Sequence, residues 1–194
     1  MQVEGVAPNI ATYNALLEGL STAGLMDEAS ELRQKMRKKG FIMNANTYEI
    51  LISGYGKAGN KRESIKIYCE MITKGFVPRV GTYNVLMHGF AKLGKMKQAR
   101  ELMNEMEHRG VRPNSSTYDI LITGWCELST QAEVERSQKL AYQAEARRLF
   151  KEMNDKGFTP SETTISCISP ALAKPGKRVD AQRWLEKFYK RKST

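Results

Sequence analysis

The chain has 194 residues, of which 41% are hydrophobic and 27% are charged, proportions typical of a folded globular protein. No window approaches the ~18 uninterrupted apolar residues of a membrane-spanning helix, so we expect no membrane partner. The net charge of +10 is compatible with simple solubility or with a polyanionic partner, since basic surfaces attract phosphate groups.

Residues 1–9 are predicted to be the tail of a truncated repeat. Met36, Met71 and Met106 each stand near the end of the second helix of a predicted repeat, and Met1 occupies the same position one repeat earlier. A natural start codon is not expected there. We therefore expect this chain to be the C-terminal part of a longer array. Any targeting peptide would then lie upstream.

A Thr-Tyr marker divides the rest of the chain into repeats. It stands at Thr12-Tyr13-Asn14 and returns every 35 residues as Thr47-Tyr48-Glu49, Thr82-Tyr83-Asn84 and Thr117-Tyr118-Asp119, then after 47 residues in the weaker form Thr164-Ile165-Ser166. Tandem units of this length stack side by side rather than forming one globular core, so the period predicts a solenoid. We expect the recurrent tyrosines to pack between helices.

The first three repeats, residues 10–44, 45–79 and 80–114, each carry two apolar helical patterns separated by a glycine turn. We predict helices over about 11–22, 46–57 and 61–73 in the first two repeats. In the first repeat, Asp27 and Glu28 stand near the start of the second helix, where carboxylates interact favourably with the helix dipole. Gly40 ends that helix.

The fourth repeat, residues 115–161, is 12 residues longer than the others, with the surplus near 130–141. Helix-forming residues dominate there, and Thr130 with Glu133 has capping-box spacing, so we predict a second helix from Gln131 to Asp155. The insertion would be either passive or a docking surface for another protein.

The fifth repeat, residues 162–194, is degenerate and is predicted to cap the array. Pro170 should kink its first helix or end it early. We expect a last helix over Val179 to Arg191, with Trp184 and Phe188 closing the core.

The residue types that carry most enzyme and metal chemistry are sparse and unclustered. Cys69, Cys126 and Cys167 form no CxxC pair, and His88 and His108 have no partner pattern. We predict no zinc site, no disulfide framework and no cofactor, with the cysteines as thiols in a reducing compartment. Neither a nucleophile–base pair nor a phosphate-binding glycine loop is recognisable, which argues against an enzyme.

The repeated features, Thr-Tyr-Asn, Lys-Ala-Gly, Asp-Glu-Ala and Met-x-x-x-Gly-x-x-Pro-Asn, closely resemble those of the pentatricopeptide repeat family, in its plain (P) class. The resemblance covers nearly the whole chain and is weakest in the fifth repeat. It implies an all-α, right-handed superhelical solenoid of antiparallel helix pairs. It also implies that the first helices line an inner surface for single-stranded RNA, with one base read per repeat.

The family pattern implies particular site residues. Base-reading pairs would be Asn14 with Asn44, Glu49 with Arg79, Asn84 with Asn114, and Asp119 with Ser161. Base-sandwiching positions would be Ala11, Asn46, Gly81 and Ser116, with Thr163 in the fifth repeat, and phosphate contacts would come from Lys57, Lys92 and Lys174; Thr22 and Glu127 interrupt that lysine series. The sandwich residues are small or polar, which weakens base stacking worth roughly 1–3 kcal/mol per base.

Two of these pairs have a particular reading. A double asparagine resembles a pyrimidine reader, because a carboxamide both donates and accepts hydrogen bonds. Glu49 and Arg79 match no familiar pair, and one alternative is that they bind each other instead of a base.

The resemblance implies a single-stranded RNA-binding module of organelle RNA metabolism, acting in transcript stabilisation, processing, splicing or translation. The expected compartment is the mitochondrion or the chloroplast of a plant, with the mitochondrion slightly favoured. The alternative is a protein-interaction scaffold within an organellar ribonucleoprotein particle such as the ribosome.

Overall fold

The computed structural model describes residues 8–172, and within that range it consists of nine α-helices without a β-strand. The helices are α1 Ile10–Ala23, α2 Met26–Lys38, α3 Ala45–Lys57, α4 Lys61–Thr73, α5 Val80–Lys92, α6 Met96–His108, α7 Ser115–Thr130, α8 Arg136–Asp155 and α9 Glu162–Leu172. The predicted all-α repeat fold is therefore confirmed. The predicted helices in the first two repeats agree with α1, α3 and α4 to within one residue at each end.

The first helices of the repeats begin at polar side chains that cap their exposed N–H groups. The Oδ1 atom of Asn44 accepts from the backbone N–H of Thr47 at 3.0 Å, and the Thr47 hydroxyl accepts from the Asn44 N–H at 3.3 Å. Asn114 and Thr117 form the same reciprocal pair at the start of α7. The marker threonines therefore help to start the helices at these two positions.

Glycine turns end the first helix and the second helix of the first repeat. Gly24 follows α1 with φ of 77°, and Gly40 follows α2 with φ of 79°. This left-handed conformation lets the next N–H reach back to the helix: the Leu25 N–H donates to the Leu20 carbonyl at 2.9 Å. The predicted turn glycine and helix-ending glycine are therefore found where expected.

The described residues form two compact units, one up to Gly89 and one from Phe90 onward, with the boundary inside α5. In the first unit, α3 packs against α1, α2 and α4, and its core includes the buried residues Leu17, Ile52 and Met71. In the second unit, α7 packs against α6, α8 and α9. Burial of these apolar faces is what holds each helix pair together.

The recurrent tyrosines lie in the cores, as predicted. Tyr13, Tyr48, Tyr83 and Tyr118 are all buried. Three of them pack against a phenylalanine that follows the second helix, with ring centroids 4.9 Å apart for Tyr13 and Phe41, and 5.7 Å apart for the pairs Tyr48–Phe76 and Tyr118–Phe158. The tyrosine of the Thr-Tyr marker therefore has a packing role in the cores.

The predicted start of the second helix in the fourth repeat is wrong. Helix α7 continues to Thr130, residues 131–135 form a non-helical connection, and α8 begins at Arg136 rather than Gln131. The Thr130 hydroxyl does not cap α8, because it donates to the Glu127 carbonyl at 2.8 Å inside α7. Burial of Ser129, whose hydroxyl donates to the Cys126 carbonyl at 2.7 Å, extends α7 instead.

Pro170 does not end the helix that contains it. It lies inside α9, which continues to Leu172, the last described residue. Of the two predicted effects of the proline, an end of the helix at Pro170 is not found, and a kink there stays a prediction. Burial of Ile168 and Ala171 on either side of it holds this stretch against α7 and α8.

Several predictions fall outside the described residues. These are most of the truncated repeat at 1–9, Lys174, and the last helix over 179–191 with Trp184 and Phe188. Of the helices in residues 8–172, none combines the length and the apolar character that crossing a membrane requires.

Candidate nucleic-acid interface

An open groove of about 530 Å³ lies in the first unit, between the ends of α1 and α3 and the start of α5. Five residues predicted from the sequence as RNA contacts line it: Asn46, Glu49, Lys57, Arg79 and Gly81. They were assigned to three different roles, in base reading, base sandwiching and phosphate contact. The fold brings the side chains of the second repeat that were predicted for base reading, base sandwiching and phosphate contact to one surface.

Helical spacing explains how α3 supplies most of these groups. Asn46, Glu49, Ser53 and Lys57 are three or four residues apart, so they share one face of the helix. Arg79 and Gly81 come from the segment that starts α5. The groove is thus formed mainly by one first helix, α3, and the beginning of the next first helix, α5.

Glu49 and Arg79 bind each other, which is the alternative that the sequence left open. The Arg79 Nε atom donates to Glu49 Oε2 at 2.5 Å, and its Nη2 atom contacts the same oxygen. The hydrogen bond to Glu49 and the charge of that carboxylate raise the pKa of Arg79. Glu49 is only 8% exposed, whereas the Arg79 side chain is 72% exposed.

Asn14 and Asn44 are also joined, by a direct hydrogen bond and through Thr47. The Asn14 Nδ2 atom donates to Asn44 Oδ1 at 3.3 Å, and the Thr47 hydroxyl donates to Asn14 Oδ1 at 2.7 Å. Asn14 is 7% exposed, and Asn44 is exposed. The two predicted base-reading residues of the first repeat are therefore adjacent, but they are not equally accessible.

The fourth repeat repeats this arrangement in the second unit. Asp119 Oδ1 accepts from the Ser161 N–H at 3.1 Å and from the Thr164 hydroxyl at 2.5 Å. The Ser161 hydroxyl in turn donates to Thr164 Oγ1 at 3.0 Å. The predicted pair of this repeat is thus also brought together.

We call this recurring bond set the inter-repeat clamp. It joins the side chain that follows the marker tyrosine to two residues at the start of the next first helix. One is the residue just before that helix, and the other is a threonine inside it. Its three described examples are Asn14–Asn44–Thr47, Glu49–Arg79–Thr82 and Asp119–Ser161–Thr164. In each, the base-reading side chain already satisfies part of its hydrogen bonding inside the protein.

Asn84 and Asn114, the third predicted pair, belong one to each compact unit. Asn84 is half-buried on α5 and belongs to the first unit. Asn114 belongs to the second unit, where its Oδ1 atom caps α7 by accepting from the Thr117 N–H at 3.0 Å. Asn114 therefore has a structural role like that of Asn44.

The predicted sandwich positions and lysines are accessible to a ligand. Ala11, Asn46, Gly81, Ser116 and Thr163 are all exposed. Lys57 and Lys92 are exposed and are the last residues of α3 and α5. Thr22 and Glu127, which interrupt the lysine series, are exposed as well. Within residues 8–172 no group of three or more His, Cys, Asp or Glu side chains could hold a metal ion.

Sequence analysis missed one recurring position of the first helices. Gly19, Gly54, Gly89 and Gly124 share the 35-residue period. A Cβ atom on Gly54 would lie 2.7 Å from the Met26 sulfur, and one on Gly124 would lie 2.5 Å from the Met96 sulfur. Gly54 and Gly124 thus allow close approach of the preceding second helix, and the shared period was the signal that could have revealed this position.

A helical repeat protein with polar clamps between successive first helices is the class that this fold and groove define. The PPR repeat family matches residues 8–57, 48–92 and 78–127, which together span more than half of the chain. The chain belongs to this family of pentatricopeptide repeats. No curated protein matches it.

Solved structures of PPR proteins are similar to this chain. A pentatricopeptide repeat protein PPR10 in complex with an 18-nucleotide psaJ RNA element superposes with a TM-score of 0.65 at 26% identity, over 86% of this chain and 23% of that one. PPR10 from maize has a TM-score of 0.60 at 27% identity, over 94% of this chain and 29% of that one. This chain thus spans roughly a quarter of the PPR10 chains that it resembles.

A third structure supports the fold alone. The PPR domain of Arabidopsis thaliana protein-only RNase P 1, solved in complex with tRNA, has a TM-score of 0.69 at 16% identity. The match covers 93% of this chain and 98% of that domain.

Proposed function

We propose that this chain is a single-stranded RNA-binding module of organelle RNA metabolism that contacts one base per repeat and performs no chemistry itself. The observation that carries the proposal is the groove of the first unit, where Asn46, Glu49, Lys57, Arg79 and Gly81 lie together. The similarity to PPR10 in complex with RNA supports it. Transcript stabilisation, processing, splicing and translation in a mitochondrion or chloroplast all fit such a module.

The clamp determines which atoms of the first repeat can meet a base. The Asn44 Oδ1 atom is occupied by the Thr47 N–H and by Asn14 Nδ2, and the Asn14 Oδ1 atom is occupied by the Thr47 hydroxyl. Asn44 Nδ2 has no acceptor among the described residues and belongs to an exposed side chain. It can donate to the O2 carbonyl that both pyrimidines carry, which supports a weak pyrimidine preference here and, by analogy of sequence, at the third repeat.

Affinity in this module comes largely from charge. The chain carries a net charge of +10, and Lys57 lines the groove as an exposed ammonium group. Each lysine that neutralises a phosphate releases counterions, so RNA binding weakens as salt increases. The small and polar sandwich residues add little stacking, so we expect modest affinity from this chain alone.

The test is a titration of pyrimidine-rich single-stranded RNA at several salt concentrations, with the wild-type chain and Lys57→Ala. We expect Lys57→Ala to weaken binding to all sequences and to flatten the slope of log K against log salt by about 0.7, the value for one phosphate contact on a single strand. The matched control is Lys38→Ala, which removes an exposed lysine from α2, outside the groove. Equal slopes for the two variants, or no RNA binding by the wild-type chain, would contradict the proposal.

A second candidate is a protein-interaction scaffold within an organellar ribonucleoprotein particle. The inserted segment of the fourth repeat is the surface to test, and Leu140 is a large apolar side chain that is 55% exposed there. Capture of ribonucleoprotein components by the wild-type chain and by Leu140→Glu would test it, with Ile42→Glu as a control at an apolar residue that is 84% exposed elsewhere. An unchanged partner set for Leu140→Glu would count against a docking role.

A further inference from the structure

The second repeat differs from the others because its clamp contains an ion pair. Both oxygens of the Glu49 carboxylate are occupied: Oε1 by the Arg79 N–H at 2.8 Å and the Thr82 hydroxyl at 3.4 Å, and Oε2 by the Arg79 guanidinium. Glu49 is also buried, at 8% exposed. Glu49 therefore has little capacity left to accept a hydrogen bond from a base.

The guanidinium of Arg79 has donors to spare. A guanidinium carries five N–H donors. Nε and Nη2 are directed at Glu49, and Nη2 also donates to Asn46 Oδ1 at 3.3 Å. No described residue accepts from Nη1, and the side chain lines the groove while remaining 72% exposed. Glu49 and Asn46 hold the guanidinium in place, with its Nη1 edge available to a ligand.

We propose that Arg79, held by Glu49, is the base-contacting residue of the second repeat and selects guanine there. The inference rests on the proposed RNA-binding function and specifies it for one position. Guanine presents two adjacent acceptors, O6 and N7, which match the Nη1–Nη2 edge of the guanidinium when the base replaces Asn46 as the acceptor of the long 3.3 Å bond from Nη2. Adenine and cytosine place an exocyclic amino donor on the corresponding edge, which faces the N–H groups of arginine unfavourably, and uracil offers only the single acceptor O4 there.

The charge of the pair favours a base over a phosphate as the ligand. Glu49 neutralises Arg79, so the pair as a whole carries no net charge to exchange for condensed counterions. Lys57, four residues beyond Ser53 on the same helix face, has no such partner among the described residues and supplies the phosphate contact instead. The groove thus separates a base contact from a phosphate contact.

Selection from a random single-stranded RNA pool tests this assignment, with wild type, Arg79→Lys and Arg79→Ala compared by sequencing. We expect wild type to enrich guanine at one position, by about fivefold over the other bases, the low end of the discrimination given by a paired arginine contact. Arg79→Lys keeps the charge but loses the planar donor edge, so the guanine enrichment should disappear. Arg62→Ala is the matched control, since Arg62 is exposed on α4 and does not line the groove.

Salt titration of the same variants distinguishes the two possible ligands. For a base contact, the double variant Glu49→Gln with Arg79→Ala, which removes both charges of the pair, should leave the slope of log K against log salt unchanged, whereas a phosphate contact would reduce it by about 0.7. Glu49→Gln should steepen the slope, because it removes the negative charge that neutralises the arginine. Circular dichroism and thermal melts would show which variants remain folded, and Arg79→Lys provides the milder change if Arg79→Ala does not.

The outcomes separate this inference from the proposed function. RNA binding without guanine enrichment at any position, unchanged by Arg79→Lys, would overturn the inference and leave the proposed function standing. A reduced slope for the double variant Glu49→Gln with Arg79→Ala, with base preferences intact, would make Arg79 a phosphate contact and would also overturn it. Absence of RNA binding by the wild-type chain would overturn the proposed function itself.

Discussion

At the scale of single residues, the side chains predicted to read bases also hold the protein together. Asn44 caps α3 through Thr47 and accepts a hydrogen bond from Asn14 on the preceding first helix. A side chain fixed at two points loses little freedom when a ligand binds, which favours a defined contact with a base. Substitutions at such positions will therefore change stability as well as binding.

Replacement of Asn44 illustrates this coupling. We expect Asn44→Ala to lower the free energy of unfolding by about 1 kcal/mol, the usual cost of removing a helix cap. Urea unfolding followed by circular dichroism would measure it. Asn104→Ala is the control, since Asn104 is exposed inside α6 and caps no helix; equal destabilisation by the two variants would contradict a capping role for Asn44.

The cysteines should differ in reactivity because they differ in burial. Burial raises the pKa of the Cys126 thiol to about 12, whereas Cys69 is exposed on α4. The thiolate is the reactive form, so at neutral pH iodoacetamide should modify Cys69 well before Cys126, as read by mass spectrometry. Denaturant should abolish the difference; comparable rates in the folded chain would show that Cys126 is accessible.

At the scale of helices, close approach depends on small residues. A Cβ atom on Gly124 of α7 would lie 2.5 Å from the sulfur of buried Met96 and 3.1 Å from the Ala91 Cβ atom. Interiors are packed too tightly to accept such an atom without movement of its neighbours. The glycine thus sets how near α7 lies to the start of α6.

Gly124→Ala should destabilise the chain by about 1 kcal/mol, since overpacking of Met96 outweighs the better helix propensity of alanine. Gly19→Ala is the matched control. Gly19 holds the same position in α1, where a Cβ atom would meet no described atom within 4 Å, so alanine should stabilise the chain by up to about 1 kcal/mol. The sign of the change in melting temperature should therefore be opposite for the two variants.

A second feature at this scale is the polar network between α7 and α8. The Tyr118 hydroxyl donates to Glu152 Oε1 at 2.8 Å, Lys156 Nζ lies 3.1 Å from the same oxygen, and Arg100 of α6 is 3.9 Å from Oε2. Burial disfavours the charged carboxylate, but the hydrogen bonds from Tyr118 and Lys156 and the two positive charges outweigh it and lower the pKa of Glu152.

A lowered folded-state pKa makes stability depend on acid in a defined direction. The contribution of Glu152 is present above its unfolded pKa of about 4.3 and is lost as the pH falls through the folded value. Between pH 6 and pH 3 we therefore expect the wild-type chain to lose more stability than Glu152→Gln, measured by urea unfolding at each pH. Glu101→Gln, at an exposed residue of α6, should retain the wild-type slope.

At the scale of the whole molecule, the net charge of +10 gives a general attraction to polyanions. Exposed lysines at the ends of first helices are candidates to direct this attraction to the groove side of the repeats. Lys57 ends α3 in the first unit, and Lys92 ends α5 in the second. These two lysines occupy equivalent positions in their repeats. Each should therefore contribute to RNA binding in the same way.

Lys92→Ala should flatten the salt dependence of RNA binding by about 0.7 in log–log slope, the same change as Lys57→Ala, without altering base preference. Fluorescence anisotropy at four or more salt concentrations would measure it. Lys97→Ala, which removes an exposed lysine from α6, is the control. A change in base preference for Lys92→Ala would instead indicate a base contact.

The repeat period, the helix pairs and their caps could be predicted from sequence because the signals are local. Asn44 and Thr47 are three residues apart, and Gly24 ends α1 through its own backbone conformation. The resemblance to the pentatricopeptide repeat family placed candidate contacts at equivalent positions of each repeat, and five of them lie in one groove.

Only the tertiary structure decided which atoms of those residues remain available. The Glu49–Arg79 ion pair joins residues 30 apart in the chain, and the bond between Asn14 and Asn44 spans the same separation. In the fourth repeat, helix-forming composition predicted a helix from Gln131, yet burial of Ser129 extended α7 and delayed α8 to Arg136. Local propensities are worth tenths of a kcal/mol per residue, so contacts between distant segments override them where the two disagree.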